Sequence, residues 1–451
     1  MGFKRGWLWL IPVVVVVVAA AVLVPTVLLG SDEAEGSGSS GEATLAVKLE
    51  RPETEDAINA WPVGDTLVVA TESKIAAYAR ADGAERWSVT PPDGAELFCS
   101  TSSRVVDGRI ALVYGTGPFG TSYETDCREA AVLNVESGEL GWRKPFDAPQ
   151  RVSPEDNRDG AGMEIVEGTV VIAQDQGLVG LDAASGDEKW SRDVQHQQGE
   201  SLGCGAEDLL ANETEVFLAQ HCRDLEHAVT FVSLDPATGE VAREKLYEAD
   251  EILERPEFVD LVSVDPLIAA IDGGNRSFYA VFDGDLNPMS TILIGEPEAT
   301  GSLDIDGQAF DRMGDVQHVE YRFLSTEDTL YTVTTVEDDE ANELKAFDLT
   351  TGQERWSATA DQTRLLAPVA LEGEQLVVAG ASTDDEGDMH VLRVNVADGA
   401  VASTESRTVH RDSGLSPLAE QFRYFWEDGT MYAVRGRSSG TSDFDLFAYG
   451  A

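Results

Sequence analysis

A short turn motif recurs along most of this 451-residue chain, and its recurrence constrains the fold more than any other feature. The clearest copy is Phe347-Asp348-Leu349-Thr350-Thr351-Gly352-Gln353-Glu354-Arg355-Trp356, and a close relative is Leu181-Asp182-Ala183-Ala184-Ser185-Gly186-Asp187-Glu188-Lys189-Trp190. With the Gly as position zero, copies fall at Gly83, Gly138, Gly186, Gly239, Gly352 and Gly399. A seventh is placed at Asn287, because Asn best replaces Gly where φ is positive. Four positions before zero stand Asn134, Asp182, Asp235, Asp283, Asp348 and Asn395, whose side chains can bond to a turn backbone. Four positions after zero stand Trp87, Trp142, Trp190 and Trp356, each large enough to wedge between neighbouring sheets.

Each copy follows a short apolar run such as Thr230-Phe231-Val232-Ser233-Leu234, so each unit reads strand, tight turn, strand. A further apolar pair upstream, such as Thr169-Val170-Val171-Ile172-Ala173, brings the content to four strands per unit. The zeros are spaced by 47 to 65 residues, the period of propeller blades. Residues 43–451 hold about eight such units. The expected fold is therefore all-β: an eight-bladed β-propeller of four-stranded antiparallel blades, preceded by one transmembrane helix. The final unit lacks an outer strand, and the surplus segment Ala43–Leu49 is expected to supply it beside Phe444–Tyr449.

The pattern apolar-Asp-x-x-Thr-Gly-x-x-x-Trp resembles the repeat of pyrroloquinoline-quinone-type β-propellers over residues 43–451. The resemblance implies the propeller fold. The family holds quinone-dependent dehydrogenases and also non-catalytic relatives, among them a lipoprotein scaffold of outer-membrane assembly and the extracellular halves of receptor kinases. The dehydrogenases use a disulfide between adjacent cysteines stacked on the quinone. This chain has no Cys-Cys pair and no Cys-x-x-Cys-His for haem.

Residues 1–6 read as a cytoplasmic N-terminus, 7–29 as a membrane anchor, 30–42 as a flexible Gly/Ser/acidic linker and 43–451 as the propeller. The uncharged run from Trp7 to Leu29 would span about 34 Å as a helix. Lys4 and Arg5 precede it and Asp32, Glu33 and Glu35 follow, which places the N-terminus in the cytoplasm and the propeller outside. A cleaved signal peptide is the competing reading, but the run is longer than a usual h-region and no Ala-x-Ala site follows.

The four cysteines are paired by phase as Cys99–Cys127 and Cys204–Cys222, two disulfides suited to an extracytoplasmic location. A zinc site from Cys204, His221, Cys222 and His227 is the alternative, without a Cys-x-x-Cys knuckle to support it. Two acidic loops, Asp283-Gly284-Asp285-Leu286-Asn287 and Asp384-Asp385-Glu386-Gly387-Asp388, carry oxygen ligands at the alternate positions Ca²⁺ uses, yet both read as turns. The Gly-rich run Gly115 to Gly120 lacks the Lys-Ser/Thr of a phosphate loop. An insertion in the sixth unit, within Gly295 to His318, reads as a tolerated surface insertion or, alternatively, as a candidate binding loop. The alternating Phe422, Tyr424 and Trp426 read as the core face of an inner strand.

The formal charge is −50, from 32 Lys+Arg against 82 Asp+Glu, the wrong sign for a nucleic-acid binder and suited to cationic partners. No catalytic constellation emerges, and no cofactor is expected; Ca²⁺ and a quinone are the alternatives. The expected function is a membrane-tethered, non-catalytic binding or scaffold module at the cell membrane, for a protein or another extracytoplasmic ligand. The alternatives are a quinone-dependent oxidoreductase and a sensor working with a separate membrane signalling partner.

Overall fold

A computed structural model describes residues 48–49, 57–92, 94–116, 126–146, 162–174, 177–193, 204–222, 228–248, 258–272, 277–295, 323–334, 341–360, 363–382, 388–408, 422–435 and 446–449. Every regular element among them is a strand. Seven blades are each built from four consecutive antiparallel strands, within 57–89, 97–145, 163–193, 204–248, 258–295, 323–358 and 363–408. They are called blades 1 to 7. A further four-stranded sheet joins Phe422–Glu427, Thr430–Arg435 and Leu446–Tyr449 to the outer strand Lys48–Leu49, with Lys48 opposite Phe447 and Leu49 opposite Leu446.

The expectation of an eight-bladed propeller, closed by the N-terminal strand and preceded by a transmembrane helix, is corrected to seven blades. Seven sheets are repeat blades; the remaining one is a composite of the two ends of the ring. It has no turn motif because its third and outer strands are not consecutive in the chain. Residues 7–29 lie outside the described residues, and among those described no helix is long and apolar enough to cross a membrane.

The middle strands are buried on both faces and read as continuous apolar runs, such as Ala228–Leu234, rather than as alternations. The outer strands alternate exposed and partly buried residues, as in Val241–Glu248. The core is a set of clusters between neighbouring sheets, one of which joins Phe231 and Tyr247 of blade 4 to Phe278 and Phe282 of blade 5. The last seam packs Ala60, Leu67 and Val69 of blade 1 against Tyr432 and Val434 of the composite sheet. Arg80 reinforces it, donating from Nε to the Tyr432 hydroxyl at 2.5 Å and from Nη2 to the Glu427 carbonyl at 3.3 Å.

Buried polar side chains stitch adjacent sheets near the axis. Asp208 accepts the backbone N–H of Leu261 on the next inner strand at 2.6 Å. Asn342 mimics a strand neighbour, accepting from Leu366 N at 2.7 Å and donating to Leu366 O at 3.0 Å. Such groups are tolerated inside because their partners are supplied across the seam.

Cys99 and Cys127 form a disulfide. It joins the first and third strands of blade 2, and both residues sit at register shifts of their strands. Cys204 and Cys222 stand directly opposite each other on the first and second strands of blade 4, so the two pairs do not occupy equivalent phases. Tyr424 and Trp426 are only partly buried, and Trp426 donates to Glu372 of blade 7 at 2.5 Å. The expected aromatic core stripe is thus a seam contact at Trp426.

Candidate interaction face

Strands in each blade alternate in direction, so the first and third hairpins of every blade lie on one rim. The third hairpins are the repeat turns. Gly83, Gly138, Gly186, Gly239, Gly352 and Gly399 all have φ between 68° and 73°, the left-handed region. Each of the turns at 182, 235 and 348 is closed in the same way. The Asp carboxylate accepts two backbone N–H groups and one hydroxyl, as Asp182 does from Ala184, Ser185 and the Ser185 hydroxyl. The Gly N–H returns to the Asp carbonyl, at 2.7 Å for Gly186 and Asp182.

The copy at 283 differs from its expected form. The turn is one residue shorter, the left-handed residue is Leu286 with φ 61°, and Asn287 follows it. Leu286 is buried, which retains a non-Gly residue in that conformation. The Asp283 carboxylate, one of the candidate Ca²⁺ ligands, accepts from the backbone of Asp285 and Asn287.

The four Trp residues do wedge between sheets, and the contact is specific. A Cβ added at Gly138, Gly186, Gly239 or Gly399 would lie 2.5–2.6 Å from the ring of Trp87, Trp142, Trp190 or Trp356 of the preceding blade. The indole N–H of three of them donates to the carbonyl just after the turn-starting residue: Trp142 to Ala183, Trp190 to Pro236 and Trp356 to Val396. Where the Trp is missing, another donor takes the slot. Arg243 reaches the Gly284 carbonyl, and Ser290 reaches that of Leu349 at 2.5 Å. The turns of blades 2 to 7 are therefore locked to the blade before them.

The first hairpins form a second ring on the same rim. Every one presents an exposed carboxylate: Asp65, Asp107, Glu167, Glu213, Asp265, Glu327, Glu374 and Asp428. Single-letter alternation does not reveal this ring; it appears only when the hairpins are superposed by topology. Several cations of this rim are tied inward. Arg355 bonds Asp328 and Asp348, Arg243 bonds Glu215, and Arg104 spans from blade 2 to the Asn212 carbonyl of blade 4.

In the third hairpins of the same rim, turn bonds favour the ionised form of the turn-starting aspartates. The N–H groups of Ser185, Thr238 and Asn287 hold Asp182, Asp235 and Asp283 below the usual carboxylate range. Arg355, aided by Thr351, holds Asp348 down at about 2. A general acid needs the opposite shift, toward neutrality. The rim is built to carry fixed negative charge and to attract cationic surfaces.

Three sequence candidates, Gly117 to Gly120, 296–318 within the sixth-unit insertion and 383–387, lie outside the described residues. The side chains of Cys204, His221, Cys222 and His227 lie outside them too. Among the described residues no group of three or more His, Cys, Asp or Glu could hold a metal ion.

A family profile described as outer membrane protein assembly factor BamB matches residues 71–284 and 312–441. No curated protein matches the chain. Among solved structures, the quinohemoprotein alcohol dehydrogenase ADHIIG from Pseudomonas putida HK5 is 11% identical with a TM-score of 0.55, covering 91% of this chain and 76% of that one. The quinohemoprotein alcohol dehydrogenase from Comamonas testosteroni is 10% identical with a TM-score of 0.52, covering 91% and 77%. BamB from Moraxella catarrhalis is 14% identical with a TM-score of 0.48, covering 91% and 98%. The two dehydrogenases share the fold, and the profile spans most of the propeller: the chain belongs to the family of outer membrane protein assembly factor BamB.

Proposed function

We propose that this chain is a non-catalytic scaffold, tethered to the membrane through its apolar N-terminal run and binding a protein partner outside the cytoplasm. The observation that carries this reading is the hairpin rim: beside turns that in blades 2 to 7 are locked to the preceding blade, every inner hairpin presents at least one exposed carboxylate. A rigid charged rim suits recognition of a basic protein surface, because little ordering cost is left for binding. The family's description as an assembly factor supports the same role. The Cys99–Cys127 disulfide supports an oxidising compartment.

The dehydrogenase reading has the fold of two quinohaemoproteins behind it. It lacks the adjacent cysteines, since Cys99, Cys127, Cys204 and Cys222 are dispersed in sequence and Cys99 is bonded to Cys127.

The test is cross-linking in native membranes, followed by purification of the full-length chain and of a triple variant, Glu167→Lys, Glu213→Lys and Glu374→Lys. The expected result is a protein partner recovered with the parent chain, depleted at high salt and lost from the variant while its melting temperature holds. Equal recovery from both chains would remove the rim from the interface. Alcohol-dependent dye reduction by the purified chain with added quinone and Ca²⁺ would replace the scaffold reading with the enzymatic one.

A further inference from the structure

A sheet edge needs protection, because its unpaired backbone N–H and C=O groups template the addition of another strand. Six of the seven blades protect their outer strands with charge. Each carries at least two charged side chains, as in Glu85 and Arg86 of blade 1 or Glu354 and Arg355 of blade 6. Blade 5 is the exception. Its outer strand, Pro288–Gly295, reads Pro-Met-Ser-Thr-Ile-Leu-Ile-Gly and carries none, in a chain of net charge −50.

The same strand is where apolar surface is left in water. Met289 is 40% exposed and Leu293 59% exposed, and Leu246 on the neighbouring outer strand of blade 4 is 36% exposed. These are three of the five large hydrophobic residues exposed among the described residues. Ser290 and Ile292 face the other way, toward blade 6, where Ser290 bonds Leu349 and Ile292 joins the core beside Leu330 and Phe347. One side of the strand is therefore fixed in the seam with blade 6; on the other, Thr291 bonds Tyr247 of blade 4 while Met289 and Leu293 stay exposed.

We infer that the outer edge of blade 5 is a docking site for an extended segment of a partner protein, added as a fifth strand. Backbone bonds would supply affinity, and Met289 and Leu293 would receive apolar side chains at alternate positions of the segment. The edge is eight residues long, about 27 Å, and accepts a segment of six to eight residues. Its exposed surroundings are acidic: Asp285 at its start, and Glu244 and Glu248 on the adjoining outer strand. The segment is therefore alternately apolar with Lys or Arg at its ends. A second copy of this chain is disfavoured by mutual repulsion of two bodies of charge −50.

This site is separate from the carboxylate rim, and its test does not depend on partner recovery through that rim. The probe is a synthetic peptide, acetyl-Lys-Lys-Val-Thr-Val-Thr-Val-Thr-Lys-Lys-amide, titrated into the full-length protein at physiological salt. Binding is read by fluorescence anisotropy, and its location by hydrogen exchange. The expected result is slowed exchange confined to residues 288–295. Leu293→Lys and Met289→Lys should each weaken binding at least tenfold, whereas Val401→Lys, on the outer strand of blade 7, should leave it within twofold. A peptide with Glu in place of Lys should bind at least tenfold more weakly. Absence of binding, protection centred on another strand, or full affinity in both blade 5 variants would overturn the proposal.

Discussion

The indole ring of Trp190 in blade 3 lies against Gly239 in blade 4 so closely that a Cβ on that glycine would fall 2.5 Å from Cδ2 of the ring. The indole N–H meanwhile donates to Pro236 at 2.9 Å, so the ring is held at both its face and its edge. Gly239→Ala combines a left-handed φ of 69° with overpacking, and should cost roughly 2–4 kcal/mol. Trp190→Ala empties the wedge and should cost about 3–5 kcal/mol. Equilibrium urea denaturation followed by circular dichroism checks both. A Gly239→Ala protein as stable as its parent would show that the interlock yields without strain.

Asp348 is held at about 2, first by Arg355 and then by the Thr351 turn bonds. A carboxylate with a depressed folded pKa adds stability above its unfolded pKa and loses it as pH falls through the folded one. Asn fills the same turn position at Asn134 and Asn395, so Asp348→Asn keeps the turn and removes the charge facing Arg355. The melting temperatures of parent and variant should differ by a constant amount above pH about 4 and converge toward pH about 2. The difference should be small, under about 1 kcal/mol, because the pair is partly exposed. A gap that persists unchanged at pH about 2 would assign the effect to something other than this ionisation.

The unreduced protein should present no reactive thiol to a maleimide or to Ellman's reagent. Cys99 is bonded to Cys127, and the cross-strand opposition of Cys204 and Cys222 suits a second bridge. Replacing Cys99 and Cys127 together by Ser should lower stability by about 2–4 kcal/mol. Two reactive thiols in the native protein would remove the blade 4 bridge and leave that of blade 2.

Arg80 ties blade 1 to the composite sheet through Tyr432 and Glu427, and its guanidinium also lies 5.0 Å from the Tyr432 ring centre. Arg80→Ala should speed amide exchange in Thr430–Arg435 selectively, with blades 3 and 4 unchanged. Uniform acceleration across all sheets would show that this seam unfolds only with the whole ring.

Much of this architecture is legible in the sequence because the repeat turn has few chemical solutions. A left-handed residue needs Gly, and a turn closed by its own side chain needs Asp or Asn. The Asp-x-x-Ser/Thr-Gly pattern consequently marks the third hairpin even where little else is retained. The slot four residues later is legible only as Trp. Arg243 and Ser290 perform the same donation with unrelated side chains, and Ser290 is reached only after the shortened turn at Asp283 shifts the register by one. The carboxylate ring was hidden for a different reason. Its members share a position in the fold but no fixed neighbour in sequence, and acidic residues are abundant everywhere in this chain. Asp208 and Asn342 were hidden as well, since a buried polar residue is recognisable only once its partner across the seam is known.

Lys48 pairs with Phe447, and Arg80 with Tyr432, so the circle is shut by residues from opposite ends of the chain. During synthesis the first blade must wait with one flank bare until the last strands leave the ribosome. Contacts of such long sequence separation form slowly, and the unfinished ring exposes apolar seams meanwhile. Truncating the chain anywhere before Leu446 should therefore yield insoluble product rather than a smaller working ring.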